Sequence, residues 1–323
     1  MDAPYSPLEF ALLNDFQRDF PLVAEPFAEL ARRLDCTPEA VLATAEKLQR
    51  RGAISRVGAV FAPWRIGVST LATIAALPDR LEEVAGRVSS RVEVNHNYQR
   101  EHRFNLWFVA TAADEAALTG VLDGIAADTG RPVLSLPLIE QYHIDLGFDL
   151  CNGIKDRPTA GSFDRRPLTA AEQRLVAVLQ PGLPLVRRPF ATVGAQAGIS
   201  ETEVLDTLAG WLAAAIVKRF GVVVRHHELG FKANAMVVFD VPDEVVAKTG
   251  AHLAREQGVT LCYRRQRHLP EWPYNLYCMV HGRSREEVMP IIERLCRVAG
   301  HPCEVLFSTR RFKQQGARYF DGR

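Results

Sequence analysis

The chain contains two copies of one sequence pattern, and this duplication constrains its fold more than any other feature. Residues 21–67 align without gaps to residues 184–230, and both segments begin with Pro-Leu-Val followed by Pro-Phe-Ala. The copies also share an arginine, which is Arg56 in the first copy and Arg219 in the second. Because related sequences fold into related units, we expect two halves of similar structure.

Each half opens with a pattern that is typical of a winged helix-turn-helix. In the first half, apolar residues recur at helical spacing in three segments, over residues 9–18, 25–34 and 37–51. Thr37 and the equivalent Ser200 precede the third helix of their halves, where a hydroxyl is suited to cap the N-terminus. Residues 53–60 and 217–225 then predict a short two-stranded hairpin, the wing, in each half.

Strands and helices follow in the order βαββαβ. The first half predicts strands over residues 69–77, 92–100, 105–112 and 133–142, with helices over residues 80–88 and 114–127. The second half predicts the same order between residues 233 and 310. This is the order of a ferredoxin-like unit, whose sheet has helices on one face and leaves the other for pairing or a ligand. The fold class is therefore α+β, a tandem duplication of a winged helix-turn-helix and a ferredoxin-like domain.

The two patterns divide the chain into four domains and a linker. We predict a first winged helix-turn-helix over residues 1–67, a ferredoxin-like domain over 68–151, a linker over 152–166, a second winged helix-turn-helix over 167–230 and a second ferredoxin-like domain over 231–323. The linker is rich in Gly, Pro, Asp and Arg, a composition that is typical of an exposed connector.

Composition excludes several classes of protein. With 39 Lys and Arg against 38 Asp and Glu, the net charge of +1 argues against a protein that coats nucleic acid or an anionic membrane. No apolar stretch approaches the roughly 18 residues of a membrane span, and the N-terminus lacks a signal-peptide pattern, so we predict a cytoplasmic protein without membrane contact. The 6 cysteines include no Cys-x-x-Cys pair, which argues against disulfides and a zinc site.

The second helix-turn-helix has the wrong charge for binding DNA. Its predicted third helix contains no Lys or Arg and presents Glu201, Glu203 and Asp206. The phosphate backbone repels such a surface. We therefore predict that DNA is not a partner and that the helix-turn-helix units serve as scaffold or interface.

Arginine, histidine and aromatic side chains concentrate where the second strand of each predicted sheet connects to the third, in residues 95–108 and 263–281. Guanidinium groups bind carboxylates through paired hydrogen bonds, and aromatic rings cover a planar macrocycle. Because the feature occurs at the matching place in both halves, it predicts a site for a large, flat polyanion. Further basic residues either extend that site or are solvated: Arg56, Arg219, Arg310, Arg311, Lys313 and Arg318.

These segments resemble a known family. A winged helix joined to a ferredoxin-like unit is the layout of the Lrp/AsnC family. Residues 96–108 (His-Asn-Tyr-x-Arg-x-His-x-x-Asn-Leu-Trp-Phe), 262–265 (Cys-Tyr-Arg-Arg) and 272–277 (Trp-Pro-Tyr-Asn-Leu-Tyr) resemble its specialised branch, the sirohaem decarboxylases of haem d1 biosynthesis and of the alternative haem pathway. The fusion of two halves is similar to the D–L type subunit of that branch.

The resemblance implies a carboxy-lyase that removes two acetate carboxyl groups from sirohaem, giving didecarboxysirohaem. It implies no cofactor beyond the iron-tetrapyrrole substrate and no metal held by the protein, with His96 or His102 as candidates to contact the sirohaem iron. For this reaction we take His96 and His102 as the candidate catalytic residues, either of which would deliver the proton, and Tyr98 as an orienting group. The implied substrate-binding residues are Arg100, Asn105, Trp107, Tyr263, Arg264, Arg265, Arg267, His268, Trp272, Tyr274 and Asn275.

The halves differ at one candidate position, because Leu261 stands where the first half has His96. The two halves therefore cannot carry identical proton-transfer roles, and His268 or His281 is a candidate to restore the role in the second half.

Two other functions stay open on the sequence alone: a ligand-responsive transcription regulator and a non-catalytic tetrapyrrole carrier. The predicted partners are sirohaem and other subunits, either in a homo-oligomer or in a hetero-oligomer with related decarboxylase subunits.

Overall fold

Helices and strands follow one another in the same order in both halves. The computed structural model describes residues 5–144, 168–225 and 233–320. The first half contains α1 (Pro7–Asn14), α2 (Pro26–Arg33), α3 (Pro38–Arg50), β1 (Ile54–Phe61), α4 (Pro63–Ile66), β2 (Val68–Ile74), a 3-10 turn (Pro78–Arg80), α5 (Leu81–Ser90), β3 (Val94–Arg100), β4 (Leu106–Ala112), α6 (Glu115–Thr129) and β5 (Leu134–Ile144). The second half contains α7 (Ala170–Leu179), α8 (Pro189–Ala197), α9 (Glu201–Ala213), β6 (Val217–Val224), β7 (Ala233–Phe239), α10 (Val246–Leu253), β8 (Val259–Arg265), β9 (Leu276–Gly282), α11 (Arg285–Ala299) and β10 (Cys303–Gln314).

The third helix of each half begins at the predicted cap. The Thr37 hydroxyl accepts a hydrogen bond from the Ala40 backbone N–H at 3.2 Å. Ser200 caps α9 in the same way, and the Glu203 side chain accepts in return from the Ser200 backbone N–H at 2.8 Å. Both caps confirm the helix starts predicted from the sequence.

The predicted wing hairpins are wrong, because each half contributes one strand instead of two. β1 of the first half pairs antiparallel with β6 of the second, with Gly58 opposite Gly221. β6 passes close to the segment that follows α1, since a Cβ on Gly221 would lie 2.4 Å from the Phe16 carbonyl oxygen. The two helix-turn-helix units thus share one sheet and one apolar core, which includes Phe27 and Trp211.

The two ferredoxin-like units close into one barrel of eight strands. Within the first half the strand order is β3-β4-β2-β5, and within the second half it is β8-β9-β7-β10. β5 pairs with β8, and β10 pairs with β3, so each half supplies the neighbours of the other half's outer strands. This confirms the predicted ferredoxin-like order, and it shows that the two sheets pair edge to edge. The barrel leaves none of its edge strands unpaired.

The barrel has helices outside and side chains of both sheets inside. Apolar residues on the outer face of each sheet pack against α5 and α6 in the first half and against α10 and α11 in the second. One end of the interior is filled by aromatic rings, including Trp107, Trp272 and Tyr277. The other end opens toward the β1–β6 sheet.

The segment after β10 returns to the helix-turn-helix core. Tyr319 is buried in that core, and its backbone N–H donates to the side chain of Gln180. The Arg318 carbonyl accepts a hydrogen bond from Thr111 at 2.9 Å. The predicted domain boundary after residue 67 falls between α4 and β2, whereas the predicted linker and the boundary at residue 230 lie outside the described residues.

Candidate functional site

A cavity of about 780 Å³ lies between the open end of the barrel and the β1–β6 sheet. Its volume is in the range of known ligand and cofactor pockets. Both halves line it, because each of the ten described strands contributes residues to its wall. The segment after β10 closes one side. The sheet face that we predicted to be free for pairing or a ligand therefore faces this cavity.

Cations dominate among the charged residues of the lining. Basic side chains come from both halves, and they are Arg56, Arg100, Lys218, Arg219, Arg225, Arg265, Arg310 and Arg311. Glu115 is the one acidic residue among the described residues of the lining. Arg310 also forms an ion pair with Glu82, whose side chain is exposed outside the cavity. A near-neutral chain thus concentrates positive charge around one enclosed space, which favours a ligand with several negative groups.

Arg100 and Arg265 occupy matching positions on the inner face of the barrel. Arg100 donates through Nη1 to the Leu306 carbonyl at 2.9 Å, and Arg265 donates to the Leu136 carbonyl at 2.8 Å. The Nε atoms of both side chains are buried without a hydrogen-bond partner among the described residues. Burial lowers the pKa of Arg100 to about 10, so this guanidinium stays charged at neutral pH. Each arginine is fixed by a backbone oxygen and keeps donors for a ligand.

Tyr98 and Tyr263 accompany these two arginines. The Arg265 guanidinium lies 4.6 Å from the centre of the Tyr263 ring, and the Arg100 guanidinium lies 5.9 Å from that of Tyr98. Burial raises the pKa of Tyr98, so its hydroxyl keeps its proton at neutral pH and remains a donor.

Arg56 and Arg219 bring charge from the shared β1–β6 sheet. Arg56 donates to the Ala59 carbonyl at 3.1 Å, and Arg219 donates to the Gln17 carbonyl at 2.5 Å. Burial lowers the pKa of Arg56, which packs against the segment after β10. The sequence had left these arginines open as an extension of the site or as solvated residues, and the structure places both in the cavity wall.

His96 lies in the same cavity, close to Tyr98. The two rings are nearly parallel with centres 6.2 Å apart, and His96 Nδ1 lies 3.0 Å from Asn95 Oδ1. Burial, and then the positive charge of Arg56, lower the pKa of His96 to about 4. The imidazole is therefore neutral at pH 7 in the ligand-free protein.

A chain of hydrogen bonds connects Arg100 to the second half. Arg100 donates to Asn234 Oδ1 at 3.1 Å, and Asn234 Nδ2 lies 3.0 Å from His281 Nε2. His281 Nδ1 lies 2.8 Å from the Thr260 hydroxyl, which donates to the Met279 carbonyl at 3.0 Å. These donors place the His281 proton on Nδ1 and make Nε2 an acceptor. Sequence reasoning named His281 as a candidate but missed Asn234 and Thr260, which lie outside the two selected segments.

Lys218 is a cavity residue that the sequence did not indicate. Its Nζ donates to Gln141 Oε1 at 3.2 Å and lies 4.1 Å from the centre of the Trp64 ring. Burial lowers the pKa of Lys218 to about 7. The aligned residue of the first half is Ser55, so no repeated pattern marked this lysine, and a single lysine on a predicted wing is typical of a solvated residue.

Six of the predicted site residues meet in the cavity, namely His96, Tyr98, Arg100, Trp107, Tyr263 and Arg265. The other eight predicted residues lie outside its lining, and they are His102, Asn105, Arg264, Arg267, His268, Trp272, Tyr274 and Asn275. The cavity extends along the inner faces of β3 and β8 as far as Arg100 and Arg265, whereas the β3–β4 and β8–β9 connections that follow these strands contribute no residue to its lining. Segments that are continuous in sequence thus divide between the two ends.

Asn105 and Asn275 bind backbone groups in equivalent ways. Asn105 accepts from the Ala76 N–H and donates to the Ala76 carbonyl, both at 2.9 Å. Asn275 accepts from the Val241 N–H at 3.1 Å and donates to the Val241 carbonyl at 2.9 Å. Each asparagine fixes the connection that leaves the first strand of its ferredoxin-like unit.

The remaining residues at the far end pair with acids or fill the aromatic end. Arg264 and Arg267 form ion pairs with Asp243 at 2.8 Å and 2.7 Å. His102 lies 3.1 Å from Glu304, and His268 lies 3.4 Å from Glu271. The Trp272 ring packs edge-on against Trp107 and Tyr274 at 5.0 Å and 4.9 Å between ring centres.

Fold and site together define a class: a duplicated helix-turn-helix and ferredoxin-like protein whose two halves enclose a cavity with many basic residues in its wall. A family model described as AsnC-like ligand binding domain matches residues 65–143 and 228–313. A model described as siroheme decarboxylase NirDL-like HTH domain matches residues 9–54 and 172–217.

Comparison with known proteins, in sequence and in structure, identifies the family of the chain. The chain is 43% identical over 318 residues to the siroheme decarboxylase NirDL subunit of Paracoccus pantotrophus, covering 96% of each chain. Its structure is similar to the crystal structure of the siroheme decarboxylase NirDL in co-complex with iron-uroporphyrin III analogue, with a TM-score of 0.71, 30% identity and coverage of 97% of this chain and 95% of that one. This chain belongs to the siroheme decarboxylase NirDL family.

Some relatives correspond to one half of the chain. The siroheme decarboxylase NirD subunit of Pseudomonas aeruginosa is 52% identical over 139 residues, which cover 43% of this chain and 93% of that subunit. Halves of this kind therefore occur as separate subunits as well as fused. Among the described helices of this chain, none is long and apolar enough to cross a membrane.

Proposed function

We propose that this chain is a sirohaem decarboxylase, which removes the carboxyl groups of two acetate side chains and gives didecarboxysirohaem. The observation that carries the proposal is the cavity, in which cations from both halves surround a space of ligand size, in a member of this family. Sirohaem is a flat macrocycle with eight carboxylates, so its charge complements that lining.

The arginines hold the carboxylates that are retained. Arg100 and Arg265 lie at matching positions of the two halves, and Arg56 and Arg219 add a second matching pair from the β1–β6 sheet. A guanidinium binds a carboxylate through two hydrogen bonds, which fixes position as well as charge. The arrangement therefore orients the macrocycle so that the two acetates that lose their carboxyl groups face the proton donors.

Decarboxylation then needs an electron acceptor and a proton. When the C–C bond of an acetate breaks, carbon dioxide leaves and the electron pair stays on the methylene carbon, from which the ring system delocalises it. A proton added to that carbon gives a methyl group. His96 is the proposed donor in the first half, since it lies in the cavity beside Tyr98. Carboxylates of a bound substrate offset the effects of burial and Arg56, raise the pKa of His96, and so load it with the proton.

The proposal includes no cofactor, since the iron enters with the substrate and the ring system takes up the charge. Trp107 forms part of the cavity wall, and Tyr98 and Tyr263 orient the substrate. A cytoplasmic location, and assembly into homo-oligomers or with related decarboxylase subunits, stay predictions from the sequence.

The helix-turn-helix units act in this proposal as scaffold. Lys47 and Arg51 of the first unit bind the buried Glu9 at 2.9 Å and 3.3 Å, so part of the positive charge near α3 is neutralised within the unit. α9 of the second unit has no Lys or Arg. Their shared sheet closes the cavity instead.

Product analysis tests the proposal. The purified chain is incubated anaerobically with sirohaem, and the product mass is followed with time. We expect the loss of two carbon dioxide molecules per macrocycle, and at least a tenfold weaker binding of sirohaem by Arg265→Gln than by the control Arg255→Gln, whose side chain is exposed outside the cavity. Tight binding without carbon dioxide would indicate a carrier instead.

A further inference from the structure

The two halves differ where the proton donor of the first half lies. On β3 the inward-facing residues are His96, Tyr98 and Arg100, and on β8 the aligned residues are Leu261, Tyr263 and Arg265. The tyrosine and the arginine are repeated, whereas the imidazole is replaced by an aliphatic group. The second half thus keeps the groups that hold and orient a substrate acetate, but Leu261 has no proton to give.

Lys218 lies on the side of the cavity where the histidine is missing. It donates to Gln141 on β5, and β5 is the strand that pairs with β8. In that pairing Gln141 is opposite Tyr263, and Ile144 is opposite Leu261. One hydrogen bond therefore holds the ammonium of Lys218 at β5, the neighbour of the strand that carries the second-half tyrosine and arginine.

The first half shows the opposite combination. Residue 55, which aligns with Lys218, is a serine, and the first half has His96. The second half also has His281 in the lining, but both of its ring nitrogens are hydrogen-bonded, to Asn234 and to Thr260. Apart from His281, each half offers one nitrogen group that can deliver a proton to its part of the cavity: the imidazole from β3 in the first half and the ammonium from β6 in the second.

We propose that Lys218 is the second proton donor of the enzyme, serving the acetate that lies against the second half, while His96 serves the acetate that lies against the first. This inference rests on the proposed function. In the step, the C–C bond of the acetate breaks, carbon dioxide leaves, and the electron pair on the methylene carbon takes a proton from the Lys218 ammonium to form a methyl group. The neutral amine then takes a proton from water, so each decarboxylation consumes one proton from solvent.

The surroundings of Lys218 suit this role. The Trp64 ring and the burial of the ammonium reduce its hydration, and burial lowers its pKa to about 7. A lysine of this kind holds its proton part of the time at neutral pH and releases it more readily than a solvated lysine.

Replacement by arginine separates proton transfer from charge. Arginine keeps a positive charge at residue 218 but does not release its proton at neutral pH. We expect Lys218→Arg to bind sirohaem within about threefold of wild type, and to slow one of the two decarboxylations by about 100-fold or more, the range of a lost general acid. A singly decarboxylated product then accumulates. Lys248→Gln, at an exposed lysine on α10, is the matched control and keeps the wild-type course.

The position of the remaining acetate provides the second readout. His96→Gln is expected to accumulate the other singly decarboxylated isomer, which tandem mass spectrometry or NMR distinguishes from the first. Thermal unfolding of each variant checks that the fold is kept. Wild-type formation of the doubly decarboxylated product by Lys218→Arg, or the same isomer from both variants, would overturn this inference while leaving the proposed function intact. If wild type itself releases no carbon dioxide, the proposed function fails first.

Discussion

Single residues show most clearly what the sequence can and cannot reveal about this site. Tyr98 and Arg100 were predicted because their pattern recurs in the second half, and the structure brings both copies into one cavity. Asn105 was selected by the same argument, yet its amide is satisfied by backbone groups at the far end of the barrel. Repetition identifies residues that matter to the fold or to the ligand, but it does not separate the two. Lys218 shows the converse, since a residue present in one half only leaves no repeated signal.

The neutral state of His96 gives a prediction about acid stability. Because its pKa is about 4 in the folded protein and about 6.5 when unfolded, the unfolded chain binds more protons between these values. Stability from this residue is therefore present above pH 6.5 and is lost as the pH falls toward 4. Replacing His96 by leucine, the residue of the second half, removes this loss, which amounts to about 2 kcal/mol between pH 7 and pH 5. Urea unfolding of wild type and His96→Leu at both pH values measures it, and equal pH dependence of the two proteins would contradict the assigned pKa.

At the scale of elements, order was predictable and pairing was not. Apolar periodicity and capping residues are local signals, so the helices and the βαββαβ order follow from the sequence. The partner of a strand is a non-local property. Residues 53–60 and 217–225 fit a hairpin, but the chain runs straight through β1 and β6, and each finds its partner in the other half. A duplicated sequence offers this exchange, because the equivalent strand of the other half is as suitable a partner as a local one.

The close approach of β6 to the segment after α1 gives a prediction for Gly221. A Cβ there would lie 2.4 Å from the Phe16 carbonyl oxygen and 2.6 Å from that of Gln17, and backbone atoms cannot yield as a flexible side chain does. We expect Gly221→Ala to lower the free energy of unfolding by about 2 kcal/mol or more, as overpacking does. Gly210→Ala is the matched control, since Gly210 lies on the exposed face of α9 with nothing within 4 Å of a new Cβ, and the substitution should raise stability by about 0.5–1 kcal/mol. Equal effects of the two substitutions in urea unfolding would mean that the strand does not approach Phe16 and Gln17 so closely.

At the scale of the whole molecule, the site exists because the halves combine. Neither half surrounds the cavity alone, since Arg100 comes from one half and Arg265 from the other, and the shared β1–β6 sheet covers the space between them. The net charge of +1 concealed this arrangement, because it averages over acids that lie elsewhere and the basic lining. The sequence predicted two similar halves and a site for a large, flat polyanion. That the two halves form one closed barrel with a cavity shared between them depends on pairings between β5 and β8 and between β10 and β3, which no local pattern encodes.

This interdependence predicts that the covalent connection between the halves is dispensable, whereas their association is not. A protease site inserted within residues 152–166, the predicted linker, allows the folded chain to be cut there. We expect the two fragments to elute together on gel filtration and to keep sirohaem binding, because the barrel ladders and the common helix-turn-helix core hold them together. After separation in urea, either fragment alone exposes the unpaired outer strands of its sheet and should self-associate, while mixing both restores binding. The uncut chain with the same insertion is the control. Fragments that separate without denaturant, or a single fragment that binds sirohaem as the whole chain does, would show that each half carries its own site.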